Sequence, residues 1–526
     1  MKNELLNIWK ENFLKDIPIY YQKKNGAYKE YTLKDFGKLI SYYQKNLKTQ
    51  EEDRVIIFSE NSPYFIGAYF ATIFKGNIVV PVDPFLSSLE FFKILRDCQP
   101  RVIFSSKNNL KVTKEAIKNL GYKPQVIILE DVNLNSFSDF SLVDRDINET
   151  MQILYTSGTT GDPKGVMLTF KNILSNIYGI DETKIIKSSD RIIVILPYFH
   201  AYPLMTTLIL PFTFGIKSFQ IEYLTPKDIV STLKEAKITI LTGVPKLFQL
   251  FLNGIYKKIE DSKLKKITFS FLTGITKTLD IKHLKKLFFK KLHEEFAPFI
   301  RYFISGGAKL PVKIAQDFYN LGYTILEGYG LTETSPVISF NRPNKFKFGS
   351  VGLPIKYCKV KIDKDGEILV KGPNVMKGYF NKIEETQAVF NDQGYFKTGD
   401  LGKIDEENFL YITGRKKDLI VLDTGKKIFP EDIENRILQS PFIEECALVY
   451  IDGKLALIVK PYEEFYEYPD LEKVLKEEIF KKLKTLQSWQ KPKEIKITFE
   501  NLPKTRIGKL KRFLLKDIYQ ELTKRI

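Results

Sequence analysis

Cysteine and histidine are scarce in this 526-residue chain, with three of each. Cys98, Cys358 and Cys446 stand far apart with no Cys-x-x-Cys pair, and His200, His283 and His293 form no ligand cluster. A disulfide framework and a zinc site are therefore both unsupported, and a reducing cytoplasm is the expected compartment. Arginine is also sparse, 12 of 81 cations, the other 69 being lysine. The net charge of +18 then reads as a solvated lysine surface, and none of the sequence modules of nucleic-acid readers is present, so no nucleic-acid partner is expected. The N-terminal residues lack the apolar core of a signal peptide, being interrupted by Glu4, Lys10 and Glu11. Charge is missing from Ile192 to Ile216, a run of 25 residues, enough to cross a bilayer if helical. Pro197, Pro203, Pro211 and His200 interrupt it, so buried strands and loops are expected instead. Hydrophobic residues at 44% and charged residues at 27% exclude a disordered or fibrous chain.

What is present is an alternation of helix-like and strand-like segments. Ser62–Phe74 reads as an apolar helix, and Asn77–Val82, Arg54–Ser59 and Arg101–Ser105 read as buried strands. The pattern recurs at Arg191–Leu196, Ile238–Leu241 and Arg301–Ser305, which predicts an α/β fold with a largely parallel sheet. After Asn341 the sequence turns Gly-rich and strand-rich (Val360–Ile362, Glu367–Val370, Phe409–Ile412), predicting a small β-unit. From residue 416 a mixed section of compact-domain size follows, giving expected domains 1–415 and 416–526.

The most specific string is Leu154-Tyr-Thr-Ser-Gly-Thr-Thr-Gly-Asp-Pro-Lys-Gly-Val166. Glycines let the backbone close around phosphate oxygens, hydroxyls and N–H groups donate to them, and Lys164 adds a point charge. It is not a Walker A loop, because no GxxxxG precedes Lys-Ser or Lys-Thr. The string resembles the phosphate loop of the AMP-forming acyl-CoA synthetases, the adenylate-forming superfamily. Four further strings resemble that family's motifs in the same order: Glu327-Gly-Tyr-Gly-Leu-Thr-Glu-Thr334, Tyr395-Phe-Lys-Thr-Gly-Asp400, Gly414-Arg-Lys-Lys-Asp418 and Pro503-Lys-Thr-Arg-Ile-Gly-Lys-Leu-Lys-Arg512. The resemblance implies a large N-terminal domain of stacked mixed sheets with helices and a smaller, mobile α+β C-terminal domain.

Under that resemblance the nucleotide site draws on Thr156, Ser157, Gly158, Thr159, Thr160, Gly161 and Lys164 for the phosphates. Glu327, Gly328 and Tyr329 belong to the adenine motif, and the flat ring of Tyr329 suits stacking. Gly306, Gly307 and Ala308 follow a strand-like segment, where missing side chains let a nucleotide approach the backbone. Asp400 can accept from ribose hydroxyls, and Arg415 offers a rigid fork of donors to the same sugar. Glu333 is a hard oxygen ligand suited to Mg²⁺, with Thr332 and Thr156 able to donate to the α-phosphate or complete the metal shell. The resemblance also makes Lys509 the lysine that contacts carboxylate and α-phosphate, Lys417 the hinge, and the segment around Gly425 the part brought in for the thiol step.

Leu196–Tyr202, with His200, and Thr242–Lys246, with Gly243 and Val244, resemble the family's acyl-pocket segments. Phe288–Phe296, Arg301–Pro311 and Ile420–Ile428 resemble the long-chain fatty acid branch, although Val421 stands where some relatives carry a lysine. The expected substrates are ATP with Mg²⁺, a medium- to long-chain fatty acid and coenzyme A, with acyl carrier protein as the alternative acceptor. A related ligase for another acid and a non-catalytic acyl or nucleotide binder are the competing readings. A last expectation concerns residues 255–293, which hold 11 lysines against 3 acids. Ile281, Leu284, Leu287, Phe288 and Leu292 share one helical face there, either packed on the protein body or resting on anionic lipid as a peripheral membrane contact.

Overall fold

The computed structural model describes residues 3–524 apart from 134–138, 158–162, 261–271, 275, 277–281 and 505–509. The chain forms two compact units, one of residues Met1–Val360 with Val370–Phe396, the other of Lys361–Leu369 with Lys397–Ile526.

In the first unit the apolar runs become strands where the sequence predicts them. Ile78–Val82, Arg54–Phe58, Val102–Ser105 and Gln125–Ile128 pair in parallel in a seven-stranded sheet. That sheet is completed by Thr150–Ser157, Pro163–Thr169 and Gly378–Tyr379. Pro63–Phe74 is the apolar helix beside it, started by Ser62, whose hydroxyl accepts from Phe65 N–H at 3.1 Å. A nine-stranded sheet carries Arg191–Val194, Lys217–Gln220, Ile240–Gly243, Tyr302–Ser305 and Ile325–Gly330, these five parallel to one another. Ile325–Gly330 then continues past its parallel partner and pairs antiparallel with Val337–Phe340.

Two expectations change. The uncharged run beginning at Ile192 opens as a strand, but from Ala201 to Phe214 it is helical, not strands and loops. The prolines fit because Pro203 lies in the first turn, and Leu204–Ile209 widens into a π turn ahead of Pro211. Among the described residues no helix is long and apolar enough to cross a membrane. The basic segment also differs from expectation. Among the described residues its C-terminal part forms two short helices, Lys282–Phe288 and Lys290–Phe296, interrupted at Phe289. Lys285 is buried with its ammonium 3.9 Å from the centre of the Tyr319 ring, while Leu284, Leu287 and Phe288 are exposed. Leu292 packs instead on the core of the nine-stranded sheet, and Ile281 lies outside the described residues.

A four-stranded sheet includes Glu367–Lys371, Phe396–Ile404 and Leu410–Arg415, of which Glu367–Leu369, Lys397–Ile404 and Leu410–Arg415 belong to the second unit. The second unit also contains a three-stranded sheet of Ile443–Ile451, Lys454–Pro461 and Glu494–Ile497. Helices Pro430–Ile437 and Leu471–Lys482 bury Ile433, Ile437, Leu475 and Ile479 with one face of the latter, and Leu515 packs with Ala447, Val449 and Leu502 on the other.

Candidate functional site

The phosphate-loop string is a β-hairpin. Thr150–Ser157 and Pro163–Thr169 pair antiparallel with Thr156 opposite Lys164 and Ser157 opposite Pro163. Gly158, Thr159, Thr160 and Gly161 lie outside the described residues. Gly165 is required by packing, since a Cβ there would stand 2.9 Å from Ile153 and 3.2 Å from Tyr155. Thr156 Oγ1 is half-buried and only 3.5 Å from Lys164 O, a contact too long to commit the hydroxyl. The Lys164 ammonium is ion-paired with Glu385, whose carboxyl it holds below the ordinary glutamate value, and lies 5.3 Å from the centre of the Tyr379 ring.

Tyr379 ties this hairpin to the Glu327–Thr334 motif, and no motif reading of the sequence singles it out. Its strand pairs with the hairpin (Tyr379 opposite Val166), and its hydroxyl donates to Glu333 Oε1 at 3.0 Å. Burial first, then the Glu333 carboxylate, pushes the Tyr379 phenol well up, so it stays a donor. Met376 N–H donates to Glu333 O at 2.8 Å, fixing the same residue from its backbone. One half-exposed carboxylate with only one oxygen engaged by Tyr379 suits Mg²⁺, which takes one or two carboxylates and completes its shell with phosphate oxygens and water. Among the described residues no group of three or more His, Cys, Asp or Glu is placed to hold a metal by itself.

The motif strand is buried through Glu327 and half-exposed from Gly328 through Glu333, including Tyr329 and Thr332. It surfaces beside the carboxyl ends of its parallel neighbours, where open α/β sheets bind ligands. Gly243, Ser305 and Glu327 lie side by side in register, which brings Gly243 and Val244 together with Gly306, Gly307 and Ala308. Gly306 N–H donates to Gly243 O at 3.2 Å, and Gly307 takes φ +81°, a conformation that favours glycine. Val244 Cγ1 stands 3.7 Å from where a Gly307 Cβ would be. Tyr202 closes the Leu196–Tyr202 segment, within which the sequence reading picks out only His200. Its hydroxyl donates to Ile304 O at 3.1 Å, and its ring would be 3.0 Å from a Gly306 Cβ. His200 lies just before the helical run, its ring 4.1 Å from that of Phe199.

Glu327, expected among the nucleotide residues, turns its carboxyl into the protein. Leu310 N–H donates to Glu327 Oε1 at 3.0 Å, and burial pushes the carboxyl up to about 7. The contact ties the Gly306–Lys309 loop to the motif strand.

Within the second unit, Asp400 and Arg415 face each other in register, with Arg415 Nε 2.9 Å from Asp400 Oδ1. Asp400 is buried, and Gly399 before it takes φ +70° while donating its N–H to Glu367 at 2.9 Å. Lys416 is fastened to Asp365 at 2.6 Å and Glu367 at 2.8 Å. Lys417 is exposed in the turn Lys416–Asp418. Gly425, exposed at φ +76°, forms the turn between Ile420–Val421 and Lys427–Ile428. Lys509 lies outside the described residues.

The chain matches the family described as AMP-binding enzyme over residues 16–380. It is 30% identical to the long-chain-fatty-acid–CoA ligase of Bacillus subtilis, across 92% of this chain and 89% of that one. It is 27% identical to the 2-succinylbenzoate–CoA ligase of Bacillus velezensis, across 82% and 81%. Its fold superimposes on ATP-bound MatB from Rhodopseudomonas palustris with a TM-score of 0.79 at 24% identity, covering 98% of this chain and 99% of the other.

Proposed function

From the premise that the chain belongs to the AMP-binding enzymes and is an AMP-forming acyl-CoA ligase of the adenylate-forming superfamily, we propose that its acid is a medium- to long-chain fatty acid. In the first step a carboxylate oxygen attacks the α-phosphorus of ATP, pyrophosphate leaves and acyl-AMP forms. In the second the coenzyme A thiolate attacks the acyl carbonyl, AMP leaves and the thioester remains.

Each residue has a part in this reading. The hairpin ending at Thr156 and Ser157, with residues 158–161 and Lys164, holds the phosphates. Tyr329 stacks on adenine while the Gly306–Ala308 backbone passes close to the nucleotide. Asp400 and Arg415 hold the ribose. Glu333, with the Thr156 hydroxyl, would hold Mg²⁺, whose charge neutralises the departing pyrophosphate. Thr332 donates to the α-phosphate. Lys509 bridges carboxylate and phosphate, screening the repulsion of two anions that must meet. Lys417 is the hinge and the Gly425 turn serves the thiol step. His200, Gly243 and Val244 border the acyl site.

The observation that carries the reading is the junction at Tyr379, which joins the phosphate hairpin, through its strand and the Lys164 ammonium, to the Glu333 carboxylate. The fatty acid assignment is supported by the likeness to the Bacillus subtilis ligase and by the apolar helical run beginning at Ala201 beside Gly306. Pyrophosphate release measured with dodecanoate, benzoate, acetate or no acid tests it, each with and without coenzyme A. Release that needs dodecanoate, with thioester only when coenzyme A is added, is the expected result. Release driven by benzoate or acetate alone points to another acid, and no acid-dependent release ends the catalytic reading. Dodecanoyl-AMP that accumulates with coenzyme A present, but is consumed by acyl carrier protein, replaces the acceptor.

A further inference from the structure

The backbone around Glu333 is held without help from the Glu333 side chain. Met376 N–H donates to Glu333 O at 2.8 Å, and Leu331 N–H donates across the turn to Pro336 O at 3.0 Å. Asn176, buried on the helix Phe170–Asp181, clamps the far side of that turn. Its Nδ2 donates to Thr334 O at 3.2 Å and to Val337 O at 3.1 Å, while its Oδ1 accepts from Val337 N–H at 3.0 Å. One helical turn earlier, Asn172 Nδ2 donates to Pro373 O and Val375 O, both at 2.8 Å. These bonds fix the segment that leads to Met376 and Tyr379. The helix starts where the phosphate hairpin ends, so hairpin, Glu333 turn and Tyr379 segment share one frame.

What that frame leaves free is the Glu333 carboxylate, which is half-exposed. Among the described residues no ammonium or guanidinium pairs with it, and its side-chain partner is the Tyr379 hydroxyl, 3.0 Å from Oε1. Tyr379 itself is 7% exposed, and its N–H donates to Thr386 Oγ1 at 2.9 Å, so the phenol has a fixed origin. A neutral donor at this point is informative in a chain with 81 cations. Lysine or arginine would fix the carboxylate but also neutralise it. A phenol fixes it and leaves its charge for an arriving cation, as the outer partners of metal-binding carboxylates do.

We infer that Tyr379 is a positioning residue, its hydroxyl fixing the Glu333 carboxylate and so strengthening the coupling between Mg²⁺ and nucleotide binding. The inference rests on the Mg²⁺ role of Glu333 proposed above. Tyr379→Phe removes the hydroxyl and keeps the ring beside Lys164, so binding of nucleotide without metal is indifferent to it.

The test is equilibrium binding of α,β-methylene-ATP, whose bridge resists cleavage, with excess Mg²⁺ or with EDTA. Wild type, Tyr379→Phe, Glu333→Gln and the double variant are compared, and the ratio of the two dissociation constants measures the metal's contribution. Removing the outer partner of a metal ligand costs about 10–100-fold, so Tyr379→Phe should lose at least about tenfold of the ratio and hold EDTA binding within about twofold. Glu333→Gln should lose most of the ratio, and adding Tyr379→Phe to it should change nothing more, because the hydroxyl acts through that carboxylate. Equal weakening with and without Mg²⁺ in Tyr379→Phe, as a structural role or a damaged fold would give, overturns the inference. An unchanged ratio in Tyr379→Phe, or a further loss in the double variant, does the same. If Glu333→Gln keeps the wild-type ratio, the Mg²⁺ assignment of Glu333 is itself wrong and the inference falls with it. Loss in Glu333→Gln with none in Tyr379→Phe leaves that assignment standing and removes only the role of Tyr379.

Discussion

Glu327 shows how burial, rather than residue type, decides what a carboxyl does. It sits in the most motif-like stretch of the chain, yet its carboxyl faces the Leu310 N–H and is pushed up to about 7. A folded-state value above the unfolded one means the folded protein retains a proton that the unfolded chain releases. Stability therefore falls as pH rises from about 4.5 to 7, and above 7 the full penalty of roughly 3 kcal/mol applies. Glu327→Gln keeps an acceptor for Leu310 without a titrating group. Measured by thermal melting, it should match wild type near pH 4.5 and exceed it at pH 8; a constant difference across that range would contradict this account. Tyr379 and Tyr202 teach the complementary lesson. Tyr379 sits in no distinctive string and Tyr202 only at the end of the Leu196–Tyr202 segment, and each gains its place because elements distant in sequence bring it to Glu333 or Gly306.

At the scale of elements, strands were legible wherever an apolar run was short and bounded. Ile78–Val82 and Val102–Ser105 fall within the predicted segments because every residue in them is buried, leaving no periodicity to misread. The run from Ile192 misled because proline argues against helix, and a π turn that accommodates Pro211 has no sequence signature. The basic helix Lys282–Phe288 misled differently. Helical periodicity predicted one apolar face, but Lys285 is buried on Tyr319, Leu287 is 66% exposed and Leu292 packs on the core. Leu284, Leu287, Phe288, Lys290 and Lys291 are exposed, and the proposed contact of this stretch with anionic lipid is testable on them. Binding to phosphatidylglycerol vesicles should weaken by at least about tenfold in Leu287→Glu/Lys290→Glu and vanish for wild type in high salt. Identical sedimentation of wild type and variant with those vesicles would dismiss the contact.

For the whole molecule, the division into two compact units puts the hairpin, the Glu327–Thr334 motif and the segments Leu196–Tyr202 and Thr242–Lys246, proposed for the acyl group, in one. Asp400, Arg415, Lys417 and the Lys504–Arg512 region fall in the other. Motif order along the chain gave the family and the fold class. It gave neither the Phe396/Lys397 division nor the return of Lys361–Leu369 to the second unit, because strand partnership depends on pairings far apart in sequence. A hinge at Lys417 predicts an asymmetric defect. Lys417→Pro fixes φ and should depress thioester formation from supplied acyl-AMP by tenfold or more, about the size expected for gating loss, while pyrophosphate exchange persists. Equal loss of both half-reactions would remove the hinge from the account.

The most direct test of the central claim is kcat/KM for straight-chain acids from C6 to C14, with ATP, Mg²⁺ and coenzyme A saturating. Burying each CH₂ is worth about 0.8 kcal/mol, close to fourfold per carbon until the pocket is filled. The account predicts a rise of that order over several carbons, with acyl-CoA, AMP and pyrophosphate formed in equal amounts. A flat or falling series, or ADP in place of AMP, would contradict it.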